Sequence, residues 1–273
     1  MDIIEIFELY PTQADCIAHL EDVRWHDKPR CVYCQSINVS PAPKEKRHHC
    51  NNCNTTFSVT VGTIFHHTHL PMQKWFLAVT LVLNAKKGLS SRQLARDLKV
   101  NKDTAWRMGM KIREAMREQG QRELLTGLVE MDEAYIGGKP RKGGPGDKSK
   151  RGRGTKKTPV VGMIERGGKV RAKVVKKDGL SKKKLTSLVR RNVDVSNATL
   201  ITDQFKGYLG IKKIMPHKTV DHSVWYVNGD AHTNNIESFW AILKRGIVGQ
   251  YHKVSLRHLP KYIDEFSYRF NHR

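Results

Sequence analysis

The stretch Leu125-Thr126-Gly127-Leu128-Val129-Glu130-Met131-Asp132-Glu133-Ala134-Tyr135-Ile136 alternates apolar and polar side chains and predicts a β-strand that carries three carboxylates, Glu130, Asp132 and Glu133. Downstream, residues 137–157 hold seven glycines between 137 and 154. From 139 to 157 there are nine Lys/Arg against one acid, Asp147. Such a stretch has too little apolar surface for a core and reads as a mobile basic loop. Residues 158–164 and 169–176 predict two strands joined through Gly167-Gly168, a hairpin signal. Residues 181–192 form an amphipathic basic helix, and Ala198-Thr199-Leu200-Ile201-Thr202 is a short buried strand with Asp203 at its C-terminal end. Asn234 reads as the N-cap of a helix over 235–244, with Ile236, Trp240 and Leu243 on its apolar face. Glu237 and Lys244 lie seven residues apart, two turns along a neighbouring face. Residues 256–273 predict another aromatic, basic helix. Strands interleaved with helices make this part of the chain α/β.

Three acids stand where chemistry can use them: Asp132 in the first strand, Asp203 at a later strand end, and Glu237 on a following helix. Carboxylates gathered in one cleft repel and stay ionised only when cations join them, which selects hard divalent ions such as Mg²⁺. Two such ions ~3.5–4 Å apart activate a water or sugar hydroxyl and stabilise the leaving oxygen of an in-line phosphoryl displacement. Each acid also has a bland reading as a solvated charge. Glu130, Glu133 and Asp230 compete for the same roles, and Glu130 and Glu133 are expected to tolerate neutralisation far better than the trio.

Upstream, residues 70–87 predict a strongly apolar helix ended by Gly88. Ser90 with Gln93 three residues on is a capping box that opens a short helix over Ser91–Leu98. After a turn at Val100-Asn101, a longer helix runs from 102 to 118. Its apolar residues Ala105, Met108, Ile112 and Met116 recur at three and four, and its other face offers Lys102, Arg107, Lys111 and Arg113. A short helix, a tight turn and a longer basic helix make a helix-turn-helix, whose second helix enters the major groove. The competing reading is an ordinary helical hairpin.

Near the N-terminus, Cys31-Val32-Tyr33-Cys34 and Cys50-Asn51-Asn52-Cys53 form two C-x2-C knuckles with fifteen residues between them. Two such knuckles complete a tetrahedral sulfur shell suited to one structural Zn²⁺, with no open coordination position. Residues 56–61 follow as a β-branched strand, as in a zinc ribbon. Cys16 lies outside the spacing and reads as a small buried hydrophobe. His48, His49, His66, His67 and His69 are expected in solvated or packing roles.

The whole chain has 273 residues, with 49 Lys/Arg against 26 Asp/Glu and a formal charge of +23. An apolar share of 38% is enough for a core and excludes wholesale disorder. No apolar run approaches the ~18 residues of a membrane span, and Asp2, Glu5 and Glu8 make the first ten residues acidic, unlike a signal sequence. The five cysteines, four of them in paired knuckles, do not read as a secreted disulfide framework. A clustered positive surplus is relieved by a polyanion, whose phosphates release counterions on contact. The expected setting is therefore the cytoplasm, in association with the nucleoid.

The chain resembles a bacterial insertion-sequence transposase of the DDE class, of the ISXO-type group with an N-terminal zinc ribbon. The resemblance covers nearly the whole chain. It includes residues 20–25, the four knuckle cysteines, Phe57-Ser58-Val59-Thr60-Val61-Gly62-Thr63, Lys74-Trp75-Phe76 and Thr104-Ala105-Trp106-Arg107. It continues through Met131-Asp132-Glu133-Ala134-Tyr135-Ile136-Gly137-Gly138-Lys139 and Thr202-Asp203-Gln204-Phe205-Lys206-Gly207-Tyr208. It closes on His232-Thr233-Asn234-Asn235-Ile236-Glu237-Ser238-Phe239-Trp240, Leu243-Lys244-Arg245-Gly246 and Glu265-Phe266-Ser267-Tyr268-Arg269-Phe270-Asn271. The Asp132 segment and the Glu237 cluster are the specific ones.

The resemblance implies an RNase H-like core, a mixed five-stranded sheet with helices, preceded by the zinc ribbon and the helix-turn-helix. The division expected is 1–63 for the ribbon segment, 64–120 for the DNA-binding helices and 121–273 for the catalytic domain. It implies that Asp132, Asp203 and Glu237 hold two Mg²⁺ or Mn²⁺ ions, and that Lys244 contacts transposon-end DNA. Arg245, Arg107 and Lys111 are further DNA-binding candidates. The expected activity is recognition of terminal inverted repeats in double-stranded DNA, metal-dependent strand cleavage and strand transfer to a target, by a homo-oligomer on DNA. A Ser or Tyr recombinase, which forms a covalent intermediate, is the competing enzyme. Outside enzymes the alternative is a zinc-ribbon and helix-turn-helix regulator, which has no use for three convergent acids.

Overall fold

The structure, a computed structural model, describes residues 2–26, 28–117, 123–137, 155, 157–220 and 232–273. Most of the glycine-rich basic stretch and Asp230 lie outside the described residues. The chain divides into two compact units, one of residues 1–85 with 89–115 and one of residues 86–88 with 116–273.

The first unit opens with α1 (Ile3–Leu9) and α2 (Gln13–Trp25), each started by a reciprocal capping box, Asp2 with Glu5 and Thr12 with Asp15. Three short antiparallel strands follow, β1 (Val39–Ala42), β2 (Arg47–Cys50) and β3 (Thr55–Phe57). The strand expected over 56–61 stops at Phe57. The Arg24 guanidinium takes the carbonyls of Val59 and Val61 at 2.5 and 2.7 Å, and Gly62 turns the chain at φ +75°. Then come α3 (Met72–Asn84), α4 (Ser91–Leu98) and α5 (Lys102–Ala115). Only half of the capping box at Ser90 forms: its hydroxyl accepts from the Gln93 N–H at 3.2 Å, while the Gln93 side chain turns to Asp97. The predicted apolar stripe of α5 is buried at Ala105, Met108 and Ile112.

The second unit is built on a five-stranded mixed sheet. Its strands are β4 (Leu125–Ile136), β5 (Thr158–Glu165), β6 (Val170–Val174), β7 (Val193–Asp203) and β8 (His217–Val220), in the spatial order β6-β5-β4-β7-β8. Strand β5 pairs antiparallel with both β4 and β6, while β7 runs parallel to β4 and β8. The hairpin through Gly167, at φ +73°, forms as its sequence predicts. Helix α6 (Lys182–Asn192) leads into β7, which is longer than the five residues expected because it begins at Val193 and bulges. Asp194 folds the bulge by accepting from the N–H groups of Ser196 and Asn197. The chain ends with α7 (Asn234–Gly246), a π-turn (Ile247–Tyr251) and α8 (Leu259–Asn271). Thr233, not Asn234, is the residue preceding α7.

Strand alternation divides the core into two layers. Leu125, Val129 and Met131 face α6 and a 3-10 segment (Lys206–Lys213), packing with Leu185, Val189, Tyr208 and Ile211. Ala134 and Ile136 face the other way, against Ile236, Phe239, Trp240 and Leu243 of α7 and Ile263 and Phe266 of α8. Asp132 and Glu130 share the parity of Ala134, so both point towards α7.

Candidate functional site

In the first unit the two knuckles bring their sulfurs together. Cys31 Sγ lies 3.6 Å from Cys53 Sγ and Cys34 Sγ 3.5 Å from Cys50 Sγ, with all four within 4.8 Å of one another. Four sulfurs at ~2.3 Å from one zinc stand ~3.8 Å apart in a tetrahedron, so this donor set fits the ion closely. Local backbone shapes each knuckle: Gln35 N–H returns to the Cys31 carbonyl at 2.9 Å, and Gln35 and Asn54 adopt the left-handed conformation after each pair. The Cys53 backbone N–H chiefly pushes the Cys50 thiol down to about 6, while burial and the neighbouring sulfurs push Cys53 up to about 11, so the crowded thiols hold back one another's ionisation until a cation joins them. His48 takes a packing role, bonded to Glu21 at 2.9 Å and stacked on Phe57.

In the second unit, Asp132 sits opposite Gly162 in the β4–β5 ladder. In the parallel β4–β7 ladder Glu130 pairs with Ile201, two residues before Asp132 on one strand and Asp203 on the other, and the Asp203 charge acts on Asp132. Helix α7 crosses this face. The Trp240 indole N–H donates to Asp132 Oδ2 at 3.1 Å, and the Thr233 hydroxyl donates to Glu237 Oε1 at 3.1 Å. Trp240 comes this close because residue 162 is glycine: a Cβ there would stand 2.6 Å from Trp240 Cζ2 and 2.9 Å from Ile236 Cδ1. Burial pushes the Asp132 carboxyl up to about 7, with the charges of Glu133, Asp203 and Glu237 adding to it. Among these charges that of Glu133 acts most on Asp132, and those of Asp203 and Glu237 act less. Among the described residues, the four cysteines form a group of potential ligands gathered closely enough to hold one ion.

Glu130, expected to tolerate neutralisation, occupies a buried, fully bonded site and not that of a solvated charge. Its side chain is fully buried and accepts from Asn235 N (2.9 Å), Ile236 N (3.1 Å), Asn235 Nδ2 (2.7 Å) and Arg166 Nε (2.8 Å). Four donors fill a carboxylate's lone-pair sites, and removing its charge strands them. Glu133 points to the other face, where it accepts from the Tyr208 hydroxyl at 2.6 Å. Sequence reasoning missed the structural work of Glu130, Trp240 and Gly162. The one clue available was that Glu130 shares its strand face with Asp132.

Of the basic candidates, Lys244 and Arg245 are exposed near the end of α7, and Arg107 is exposed on α5. The Lys111 ammonium is held at 2.8 Å by the His66 carbonyl and lies over the Trp75 ring. Arg113 is a correction: it is buried rather than on the open face, and reaches the Leu89 carbonyl at 3.4 Å. On the sheet face opposite Asp132, a groove of ≈ 670 Å³ between α6 and the 3-10 segment is lined by Lys182, Lys183, Arg190 and Lys213. No helix among the described residues is long and apolar enough to cross a membrane.

The family described as ISXO2-like transposase domain matches residues 124–271, and the transposase zinc-ribbon domain matches residues 11–56. A relative from Halobacterium salinarum, described as an uncharacterized protein in transposable element ISH50, is 30% identical over 265 residues, 92% of this chain and 88% of its own. Among solved structures, the Mos1 transposase paired-end complex with left transposon end aligns at 14% identity and a TM-score of 0.32, over 72% of this chain and 74% of that one. A pre-cleavage Mos1 transpososome aligns at 13% identity and a TM-score of 0.30, over 99% and 92%. The transposase-domain match takes in the whole β4–α8 sheet unit, more than half of the sequence, and with the zinc-ribbon match at its N-terminus the chain belongs to the ISXO2-like transposase family.

Proposed function

We propose that this transposase binds the terminal inverted repeats of its element in double-stranded DNA, cleaves there and joins the freed 3′-hydroxyl to a target. The observation that carries the proposal is that parallel strands β4 and β7 carry Asp132 and Asp203, with the helix that bears Glu237 bonded to Asp132 through Trp240. The sheet order, with β5 alone opposed to the other strands, supports an RNase H-like catalytic domain over 121–273. Asp132, Asp203 and Glu237 would hold Mg²⁺ or Mn²⁺, since an acid cluster whose central carboxyl resists ionisation suits divalent cations. When bound, such ions activate a hydroxyl nucleophile and stabilise the leaving oxygen of an in-line phosphoryl displacement. Trp240 orients Asp132, and Thr233 holds Glu237.

In the first step water attacks the end phosphodiester and the bond to the 3′-oxygen breaks, leaving a 3′-hydroxyl and a 5′-phosphate. In the second that hydroxyl attacks a target phosphodiester, exchanging one ester for another. No enzyme side chain becomes covalently attached. Lys244 and Arg245, exposed on the helix of Glu237, neutralise end phosphates near the acids.

In the first unit the cysteine cluster holds one structural Zn²⁺ in a ribbon segment over 1–63, and α4 with α5 acts as a helix-turn-helix within 64–120. Arg107 supplies the base-reading side chain, while Lys111 buttresses the helix. Because an element has two ends, a homo-oligomer on DNA, working at the nucleoid in the cytoplasm, completes the proposal. The test is cleavage of duplexes carrying the element's own ends, with Mg²⁺, with Mn²⁺ and with neither. Metal-dependent nicking that Asp132→Asn abolishes supports the proposal. Specific binding without cleavage under any metal favours a DNA-binding regulator instead.

A further inference from the structure

Resting on the metal-site proposal above, we infer that Glu130 is a positioning residue, a buried carboxylate that sets the distance between the strand of Asp132 and the helix of Glu237. Thr233, the residue preceding α7, offers no side-chain cap to that helix. The first N–H groups of α7 are met instead from the sheet: Glu130 Oε2 accepts from Asn235 N at 2.9 Å and Ile236 N at 3.1 Å. An anion at a helix N-terminus also opposes the positive end of the helix dipole. Glu130 Oε1 takes the Asn235 side-chain amide at 2.7 Å and the Arg166 guanidinium at 2.8 Å.

Arg166 extends the tie. Its Nη2 donates to the His232 carbonyl at 3.0 Å, and its backbone N–H to the Leu128 carbonyl at 3.0 Å. The His232 ring stands 3.3 Å from Glu130 Oε1. One carboxylate therefore joins strand β4, the β5–β6 hairpin and the start of α7.

The location of these bonds separates positioning from ordinary core stabilisation. Glu130 is two residues from Asp132 on the same strand face, and its α7 partners are the two residues immediately before Glu237. One turn further along α7, Trp240 bonds Asp132 itself. Two polar ties between β4 and α7 thus bracket Glu237, and a change in either alters how far Glu237 stands from Asp132 and Asp203. Groups that orient metal ligands in this way typically shift metal affinity by ~10–100-fold when altered.

The experiment uses the full chain with its zinc in place, titrated with Mn²⁺ and followed by electron paramagnetic resonance. Asn235→Ala removes one of the four donors and leaves the buried ion pair intact. Glu130→Asp keeps the charge and shortens its reach. Both are expected to raise the Mn²⁺ concentration at half-saturation by ~10–100-fold, with affinity for end DNA unchanged. A role limited to folding would reduce the number of Mn²⁺ sites per chain without moving the midpoint. A wild-type midpoint in Asn235→Ala and in any folded Glu130→Asp protein overturns the inference. Asp132→Asn and Glu237→Gln serve as references. If they lose Mn²⁺ binding while the other two variants keep it, only the role of Glu130 falls; if they too bind normally, the metal site falls with it.

Discussion

Replacing Gly162 with alanine tests the packing that brings Trp240 to Asp132. The added Cβ would stand 2.6 and 2.7 Å from two Trp240 ring carbons and 2.9 Å from Ile236 Cδ1. Carbon atoms rest at ~3.5–4.0 Å, so three contacts are overlapped by roughly 1 Å. Neither neighbour can retreat into solvent, since Trp240 and Ile236 are 3% and 0% exposed. Overpacking of this kind costs ~1–3 kcal/mol. Moving the ring also stretches the 3.1 Å bond to Asp132, and a lost hydrogen bond of this kind costs ~0.5–1.5 kcal/mol. Gly162→Ala should therefore lose ~1.5–4.5 kcal/mol in urea unfolding followed by circular dichroism. End cleavage should fall further than that loss explains, because Asp132 is no longer oriented. A variant with wild-type unfolding midpoint and wild-type cleavage would refute the packing argument and the orienting role of Trp240 together.

Four further outcomes are expected. Cys50→Ser should release the single zinc, worth of order 10 kcal/mol in small zinc modules, and loosen the ribbon while the sheet unit stays folded; elemental analysis and limited proteolysis report both. Asp132→Asn, Asp203→Asn and Glu237→Gln should each lower strand cleavage by several orders of magnitude and leave end binding intact, whereas Lys244→Ala should weaken end binding in gel-shift titrations. In zinc-loaded protein without Mg²⁺ or Mn²⁺, the native Asp132 carboxyl, at about 7, keeps a proton that the unfolded one, at 3.8, has lost. Stability should thus fall as pH rises through that window, and Asp132→Asn should flatten the slope in urea midpoints taken at about pH 5 and about pH 8. Arg107→Ala should reduce preference for the element's own ends over random DNA, whereas neutralising the lysines and arginines of 139–157 should weaken all DNAs alike and flatten the salt dependence; equal losses on every DNA for Arg107→Ala would remove it from base reading.

What the sequence determined by itself is what neighbouring residues decide. The two C-x2-C knuckles specify a four-sulfur cluster because each pair closes within one turn, and their sulfurs do converge. Alternation in Leu125–Ile136 and the three-and-four spacing in α5 announce which side chains turn inwards, since those periods follow from backbone geometry alone. Tertiary structure decided everything that depends on a partner from elsewhere in the chain. Residues 56–61 have strand composition, yet they turn after Phe57 where Arg24 claims two of their carbonyls. Arg113 belongs to a basic helix face by its chemistry and is buried against the Leu89 carbonyl. Glu130 and Asp132 look alike two residues apart. One is enclosed by donors from α7 and Arg166, and the other is bonded by Trp240, a difference set by the way α7 closes over Gly162. Periodicity assigns a residue to a face, but the donors, charges and volumes waiting on that face come from segments some thirty to a hundred residues away, and only the folded chain brings them there.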